Sequence, residues 1–549
     1  MTWTGLVGAG MRAALAGRIS LLSDARHWKE NSAGVQLAQL RSLLRRAAGT
    51  AYGRGHDFAR IAALEKGEML AAYRAAVPVA DWYAFKDMIA RMREGAEPDV
   101  LWPGLVRDFA QTSGTTAGDK YIPVSKEMLR SNFRASLDIF AHLARFGVGL
   151  PWLTSGKSLF LGGSTRLDAS DNGVRTGDLS GIVTPLIRWP ISEIYLPGPE
   201  IALMSHWPSK IEAMARRCLD EDVRMVSGMC SWGLVLFEKV LELARARGAG
   251  AETIRDVWPN FRVFVHGGVK YAPFDPRIRR VYSGSPTGGD IPTRLELYPA
   301  SEAFVAIQDT PGDGGMRLCA DQMNFFEFVP LERINDSAPE AFACWEVEKA
   351  QRYVVVLSTC AGLWRYVLGD VVEFDSVPDR PLHLGGGGGD GPSRMRIVGR
   401  HRHFVNAFGE NLIVEHIENA VARAAASTGV VVGEFTAAPV YPSDGTRAGL
   451  ELAVEVESWG AAPRDVSLAA FSEAFDRALK DQNVDYTTKR SEGLGMAPPT
   501  ISALARGTFH AWMEQRGKLG GQHKCPRCAN GRELIDQVLA CARERGSAA

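Results

Sequence analysis

The run Thr112-Ser113-Gly114-Thr115-Thr116-Ala117-Gly118-Asp119-Lys120 packs hydroxyls and glycines into one short turn and ends on a cation. A turn of that composition can hold several phosphate oxygens at once. Glycines let backbone N–H groups point inward as an anion nest, the hydroxyls of Ser113, Thr115 and Thr116 add donors, and Lys120 brings a mobile charge. The spacing is not G-x-x-x-x-G-K-[ST], so a phosphate loop of the Walker type is excluded. Alone, the run reads as a polar surface turn. Motifs further along the chain overturn that reading.

Tyr298-Pro299-Ala300-Ser301-Glu302 comes directly after a strand-like run at 293–297 and offers an aromatic face, a hydroxyl and a carboxylate within five residues. In Trp364-Arg365-Tyr366-Val367-Leu368-Gly369-Asp370 a glycine turn precedes an Asp that could accept two hydrogen bonds from a ribose diol. Val398-Gly399-Arg400 is followed by Gly409-Glu410-Asn411-Leu412 and a helix-like stretch from Glu415. Gly507-Thr508-Phe509 and Gln522-His523-Lys524-Cys525-Pro526-Arg527-Cys528 close the series. Singly these residues have ordinary readings. Tyr298 and Trp364 suit a core, Glu302 and Asp370 suit solvated strand ends, Lys524 suits a loop, and Arg365 and Arg400 suit structural ion pairs. Their order is what points to a nucleotide site.

In this order the motifs resemble those of the Gretchen Hagen (auxin-responsive) acyl acid amido synthetases, a branch of the adenylate-forming enzyme superfamily. The resemblance runs from about residue 111 to 535. Ser227-Gly228-Met229-Cys230-Ser231-Trp232, opening an apolar helix, also looks like the segment that lines that family's acyl pocket. Three positions depart from the pattern: the phosphate loop is one residue short before Lys120, Ala300 stands where a second Ser is usual, and His523 replaces a Tyr.

The resemblance implies ATP and Mg²⁺ as the nucleotide and its metal, with a small carboxylic acid and an amino acid as the other substrates. It implies that Tyr298 stacks near the adenine, Ser301 contacts the α-phosphate and Glu302 ligates Mg²⁺. Asp370 would hold the ribose hydroxyls, Arg400 would lie at the domain junction near the nucleotide, and Lys524 would stabilise the transferring phosphoryl group. Ser113, Gly114, Thr115, Thr116, Gly118 and Lys120 suit the β- and γ-phosphates. The catalytic pair is then Lys524 and Glu302. An acyl-CoA ligase would share the adenylation step and differ in its thiol nucleophile. A non-catalytic nucleotide-binding protein is the third reading, and the shortened phosphate loop is its best argument.

A chain of 549 residues exceeds one hydrophobic core, so at least two domains are expected. Sixty-three basic residues balance 63 acidic ones, and 46% of the chain is hydrophobic, which excludes the basic signature of nucleic-acid binding and the acidic one of disorder. No apolar run approaches the ~18 residues of a membrane span. Residues 1–23 carry Arg12 and Arg18 but no compact apolar core with a cleavage signature. Eight scattered cysteines make no disulfide framework. A cytoplasmic monomer is expected. Cys525-Pro526-Arg527-Cys528 lacks the second ligand pair of a zinc site, and a Gly- and Lys-rich loop precedes it where a redox pair would follow a strand.

Helical periodicity fills 35–47, 64–75 and 82–93. Beyond these, 158–161, 261–265, 303–307, 325–329 and 353–357 read as buried strands, and strands alternating with helices to about residue 398 predict α/β sheets with helices outside. The glycine run 385–389 reads as a flexible solvent loop, since no helix follows it. His266, at the end of a buried strand, reads as a satisfied structural histidine. Beyond Gly399 come a helix (415–426), a strand (450–456) and a helix (468–481). The expected architecture is therefore α/β, with a large multi-sheet N-terminal domain (1–398) that binds nucleotide and acyl acid. A smaller, mobile α+β C-terminal lid (399–549) completes it.

Overall fold

The computed structural model describes residues 2–112, 120–162, 167–187, 189–204, 206–269, 271–272, 274–401, 404–406, 408–410, 412–442, 447–460, 462–491, 495–516 and 525–546. Helices dominate the first hundred of these. The longest, Ala25–Ala47, is capped by Asp24, whose carboxylate accepts from the His27 N–H at 2.8 Å, and its last turn carries Arg45 and Arg46. Cap and basic end both complement the helix dipole. Its buried stripe includes Leu37, Leu40 and Leu44. From the same face Gln36 donates to the carbonyls of Ala320 and Asn324 and accepts from the Phe326 N–H, which pins the helix to a neighbouring sheet.

That sheet has twelve described strands. Lys157–Phe160, Val223–Ser227, Val263–Gly267 and Thr293–Pro299 run parallel to one another. On its other side Thr293–Pro299 pairs antiparallel with Phe304–Gln308. Antiparallel pairing continues through Met316–Leu318, Arg394–Arg400, Tyr366–Ser376, Arg352–Ser358 and Phe325–Pro330. Thr293–Pro299 is thus the strand at which the sheet changes character. A four-stranded sheet built on Asp108–Thr112 and Lys120–Val124 lies apart from it.

The expected alternation of strand and helix holds only as far as Ser283. Between Ser283 and Val414 the described chain has no α-helix and runs strand to strand. The reason it misleads is burial on both faces. Every residue of Phe325–Pro330 is buried. Phe325, Phe326 and Phe328 join a core with Leu40, Phe58, Tyr73 and Phe85 of the N-terminal helices, while Val329 packs with Val356 and Ala341. A strand covered twice reads as a continuous apolar run, whichever way its neighbours point.

The C-terminal sheet pairs Val431–Val440 with Gly449–Ser458 and adds Thr500–Leu504 in parallel. Side chains alternate across it. Leu450, Leu452 and Val454 face the helices Val414–Thr428 and Arg464–Lys480, whereas Ala453 and Leu504 face Glu533–Glu544. The first of these cores also includes Leu236, Phe237 and Phe264, so one apolar cluster joins residues from both halves of the chain. The boundary drawn at 398/399 falls inside the strand Arg394–Arg400. Among the described residues no single helix is long and apolar enough to cross a membrane. Trp3–Ala14 and Ala16–Ser23 meet that test only as a pair bent by 53°.

Candidate active site

Parallel strands leave a crevice at their carboxyl ends where the sheet order switches. Thr293–Pro299 ends at such a place. Just beyond it, Ala300 N–H donates to the Ala303 carbonyl (2.9 Å), closing a tight turn around Ser301 and Glu302. A cavity of about 610 Å³ opens there. Lys120, Tyr298, Ser301, Glu302, Asp370 and Arg400, drawn from four separate stretches of sequence, all line it. Ser113, Gly114, Thr115, Thr116 and Gly118 lie outside the described residues, as do His523 and Lys524. Thr112 and Lys120, on either side of 113–119, are cross-strand partners.

Asp370 is set by two neighbours. Tyr298 donates its hydroxyl to Oδ2 at 2.6 Å, and Arg400 donates Nε–H to Oδ1 at 2.6 Å. Asp370 and Arg400 face each other in register across adjacent strands, so the pair is built into the sheet. Gly369 precedes them at φ +97°, and a Cβ there would meet the His401 ring at 3.1 Å. Any other side chain there would be strained in φ and would press on that ring. Each Asp370 oxygen already accepts one protein donor and keeps one lone-pair direction for another. Tyr298 itself is 4% exposed and packs in the large core, so it orients Asp370 as well as lining the cavity. Burial and then the neighbouring Asp370 charge push its phenol well above the usual range. Arg400 is raised chiefly by the Asp370 charge, against the cost of burial.

Glu302 is buried and accepts from the Tyr366 hydroxyl at 3.2 Å. Burial raises its pKa, and the charges of Lys120 and Arg400 partly offset that. A carboxylate held in a cavity, beside cations but with no close ion pair among the described residues, fits a divalent cation that arrives with phosphate oxygens, since Mg²⁺ is commonly held by one or two carboxylates. Among the described residues no group of three His, Cys, Asp or Glu side chains forms a complete metal cage.

The strand Val223–Ser227 passes into the helix Cys230–Ala246 through Gly228. There a Cβ would stand 2.6 Å from that of Leu161. The turn aims Met229 and Trp232 into the cavity, and Trp232 donates its indole N–H to the Phe408 carbonyl at 3.2 Å. Arg365 takes its structural reading, with Nε 2.9 Å from Glu327. His266 departs from its expected one: its Nδ1 has no hydrogen-bond partner among the described residues. Burial lowers its pKa to about 3, so the ring is neutral. Cys525 and Cys528 are buried, and burial pushes both thiols up to about 12, far from a reactive thiolate.

Lys489, Asp485, Asp178 and Glu296 also line the cavity and were not singled out by sequence. No motif marks them. Lys489 sits on the short helix Val484–Arg490, and Asp178 follows the strand Arg175–Gly177. The one available signal was a lysine on the apolar side of a helix, next to the buried Tyr486.

Models of the GH3 family match most of this architecture: the GH3 family N-terminal domain at residues 21–186 and 175–287, the central domain at 317–382 and the C-terminal domain at 415–533. The chain belongs to the GH3 family. It is similar to "Probable indole-3-acetic acid-amido synthetase GH3.1" of Arabidopsis thaliana, with 22% identity over 544 residues, 84% of each chain. With the jasmonoyl–L-amino acid synthetase GH3.5 of Oryza sativa subsp. japonica it shares 28% over 216 residues, 37% of this chain and 30% of that one. Among solved structures, the GH3.15 acyl acid amido synthetase superposes with a TM-score of 0.57 at 19% identity, covering 95% of both chains. A 2-hydroxyisobutyryl-CoA ligase superposes at 0.53 and 15% identity, covering 94% of this chain and 92% of that one. One fold thus serves an amide-forming and a thioester-forming relative, and the fold by itself does not choose between them.

Proposed function

We propose that this GH3 protein is an ATP-dependent acyl acid amido synthetase. A carboxylate oxygen attacks the α-phosphorus of ATP, the bond to the bridging oxygen breaks, and pyrophosphate leaves. The amino nitrogen of an amino acid then attacks the acyl carbon, the carbon–oxygen bond to phosphate breaks, and AMP leaves. The observation that carries this reading is the cavity in which Lys120, Ser301, Glu302, Asp370 and Arg400 converge.

Both reactants of the first step are anions, so the site must neutralise charge with groups already in position. Lys120 and Arg400 supply cations and Ser301 a hydroxyl donor, while Asp370, oriented by Tyr298, takes the ribose. Glu302 is the residue to hold Mg²⁺. When bound, the metal neutralises phosphate charge. The adenylate is labile to water, which gives the C-terminal part (399–549) a purpose as a mobile cover over the larger part (1–398). Eight free, buried cysteines agree with work in the cytoplasm, and the balanced charge agrees with small-molecule partners.

ATP–pyrophosphate exchange across a library of carboxylic acids tests the reading, and product mass spectrometry with amino acids or CoA separates amide from thioester formation. No exchange with any acid would leave a nucleotide-binding protein.

Two variants probe the assignments. Asp370→Ala is expected to weaken ATP about ten- to hundredfold, the worth of a charge-assisted hydrogen bond at about 1.5–3 kcal/mol, and the acid much less. Unchanged nucleotide affinity by calorimetry removes the ribose role. Lys524→Ala is expected to depress exchange about a hundredfold, ~2.7 kcal/mol. Conversion of a supplied acyl-adenylate to amide should survive better, because most of the phosphate charge has left with pyrophosphate. Equal losses in both steps would make Lys524 a general nucleotide ligand and no more.

A further inference from the structure

Lys489 lines the cavity although it is only 3% exposed. Among the described residues it makes no hydrogen bond and no close ion pair. Two indole faces hold it instead, with Nζ 4.1 Å from the Trp232 ring centre and 5.2 Å from that of Trp207. Those rings pack together at 4.9 Å. An aromatic face steadies the group without tying up its nitrogen in a hydrogen bond. Lys210, on the helix Trp207–Cys218, is as deeply buried but differs: it donates to the Ala202 carbonyl at 2.7 Å and is not part of the cavity wall. Lys120 does line the wall, within the influence of Glu302.

The place of this amine matters as much as its freedom. A Cβ on Gly409 would stand 2.7 Å from Met229 Cε and 3.9 Å from Lys489 Cε, so the two side chains meet over that glycine. Met229 and Trp232 are the cavity-lining residues of 227–232, the segment whose sequence resembles an acyl-pocket wall. On the proposed reading, Lys489 therefore shares a wall with the acyl group of any adenylate the site holds. Burial lowers its pKa. A desolvated lysine presents more free amine near neutral pH than a surface one, and a free amine is what a mixed anhydride reacts with.

We infer that an acyl-adenylate left without an acceptor acylates Lys489, which makes this lysine a site of self-modification. The inference rests on the adenylating half of the proposed function. Neutral Nζ attacks the acyl carbon and a C–N bond forms. The C–O bond to phosphate breaks, AMP leaves with the electron pair, and one Nζ proton passes to Asp485. That carboxylate lines the cavity one turn earlier on the same helix. The product is a stable amide that removes the cation and fills the space beside Met229 and Trp232. A labelled chain should therefore adenylate more slowly.

The test gives the full chain synthetic acetyl-, benzoyl- or indole-3-acetyl-adenylate with no amine present. Intact mass spectrometry is expected to show, with at least one of them, a gain equal to the acid less water that survives neutral hydroxylamine. Peptide mapping should place it on Lys489 at an occupancy at least about tenfold above that of any exposed lysine. Excess AMP should suppress it by holding the site. Lys489→Arg, whose guanidinium stays protonated, should lower the labelled fraction at least about tenfold. The wild-type map locates the label by itself, so the result does not hang on how well the variant folds. The proposal is overturned if none of the three labels the chain, if the label sits on Lys120 or on exposed lysines instead, if hydroxylamine releases it, or if excess AMP leaves it undiminished. ATP–pyrophosphate exchange without labelling removes the modification site alone. Labelling of Lys489 by a supplied adenylate, without exchange for any acid, removes the ligase reading alone.

Discussion

Glu302→Gln is expected to lower ATP–pyrophosphate exchange at least about a thousandfold, a loss of ~4 kcal/mol in transition-state stabilisation, while the protein stays folded. The two halves of that expectation come from the same burial. Gln keeps the shape and an oxygen for the Tyr366 hydroxyl, so the contact at 3.2 Å can persist. Because burial raises the Glu302 pKa, holding the carboxylate there has a cost that a neutral amide does not carry. Thermal unfolding should occur at or slightly above the wild-type temperature. What the amide lacks is the charge that, on the proposed reading, draws Mg²⁺ to the phosphates. Near-normal exchange at ordinary Mg²⁺ would take Glu302 out of the metal site. A collapse of the unfolding transition would instead assign it to the fold.

Residues placed by short, local rules were legible from sequence. Tyr298 lies near the end of the strand Thr293–Pro299 and Ser301 and Glu302 just beyond it, and Asp370 comes after a glycine whose φ of +97° almost only glycine adopts. The helix expected at 82–93 is Trp82–Arg93, and that expected at 415–426 runs Val414–Thr428. Pairing direction was not legible. Nothing in Phe325–Pro330 tells a twice-covered antiparallel strand from a parallel one, because the cover comes from helices some 250 residues earlier in sequence. One charged wall of the cavity was hidden for a related reason. Asp178 and Lys489 are some 300 positions apart in the chain, and each looks like an ordinary polar residue until the fold removes it from water. His266 failed differently: its strand was expected, but whether a buried ring nitrogen finds a partner depends on side chains from other elements.

The largest loss of stability is expected from Glu327→Gln. Glu327 is 1% exposed and lies between two guanidinium groups, with Arg365 Nε and Arg74 Nε each at 2.9 Å. Arg365 also donates to the Val77 carbonyl at 2.8 Å, and Arg74 to Glu346 at 2.7 Å. Removing one partner from such a buried set costs about 3–5 kcal/mol, because a charge is left without compensation. Arg396→Gln is the contrast: its side chain is 46% exposed in its pairs with Asp313 and Asp375, and exposed pairs contribute about 0–1 kcal/mol. Urea unfolding followed by tryptophan fluorescence would read both. The consequence reaches the site. Arg365 is held at φ +44°, directly before Tyr366–Ser376, the strand that carries Tyr366 to Glu302 and Asp370 to Tyr298 and Arg400. Glu327→Gln should therefore weaken ATP binding as well, without touching any group that meets the nucleotide. A variant that loses stability yet binds ATP normally would show that the strand keeps its register without this anchor. A variant that loses under about 1 kcal/mol would mean the guanidinium groups find water or Glu346 instead.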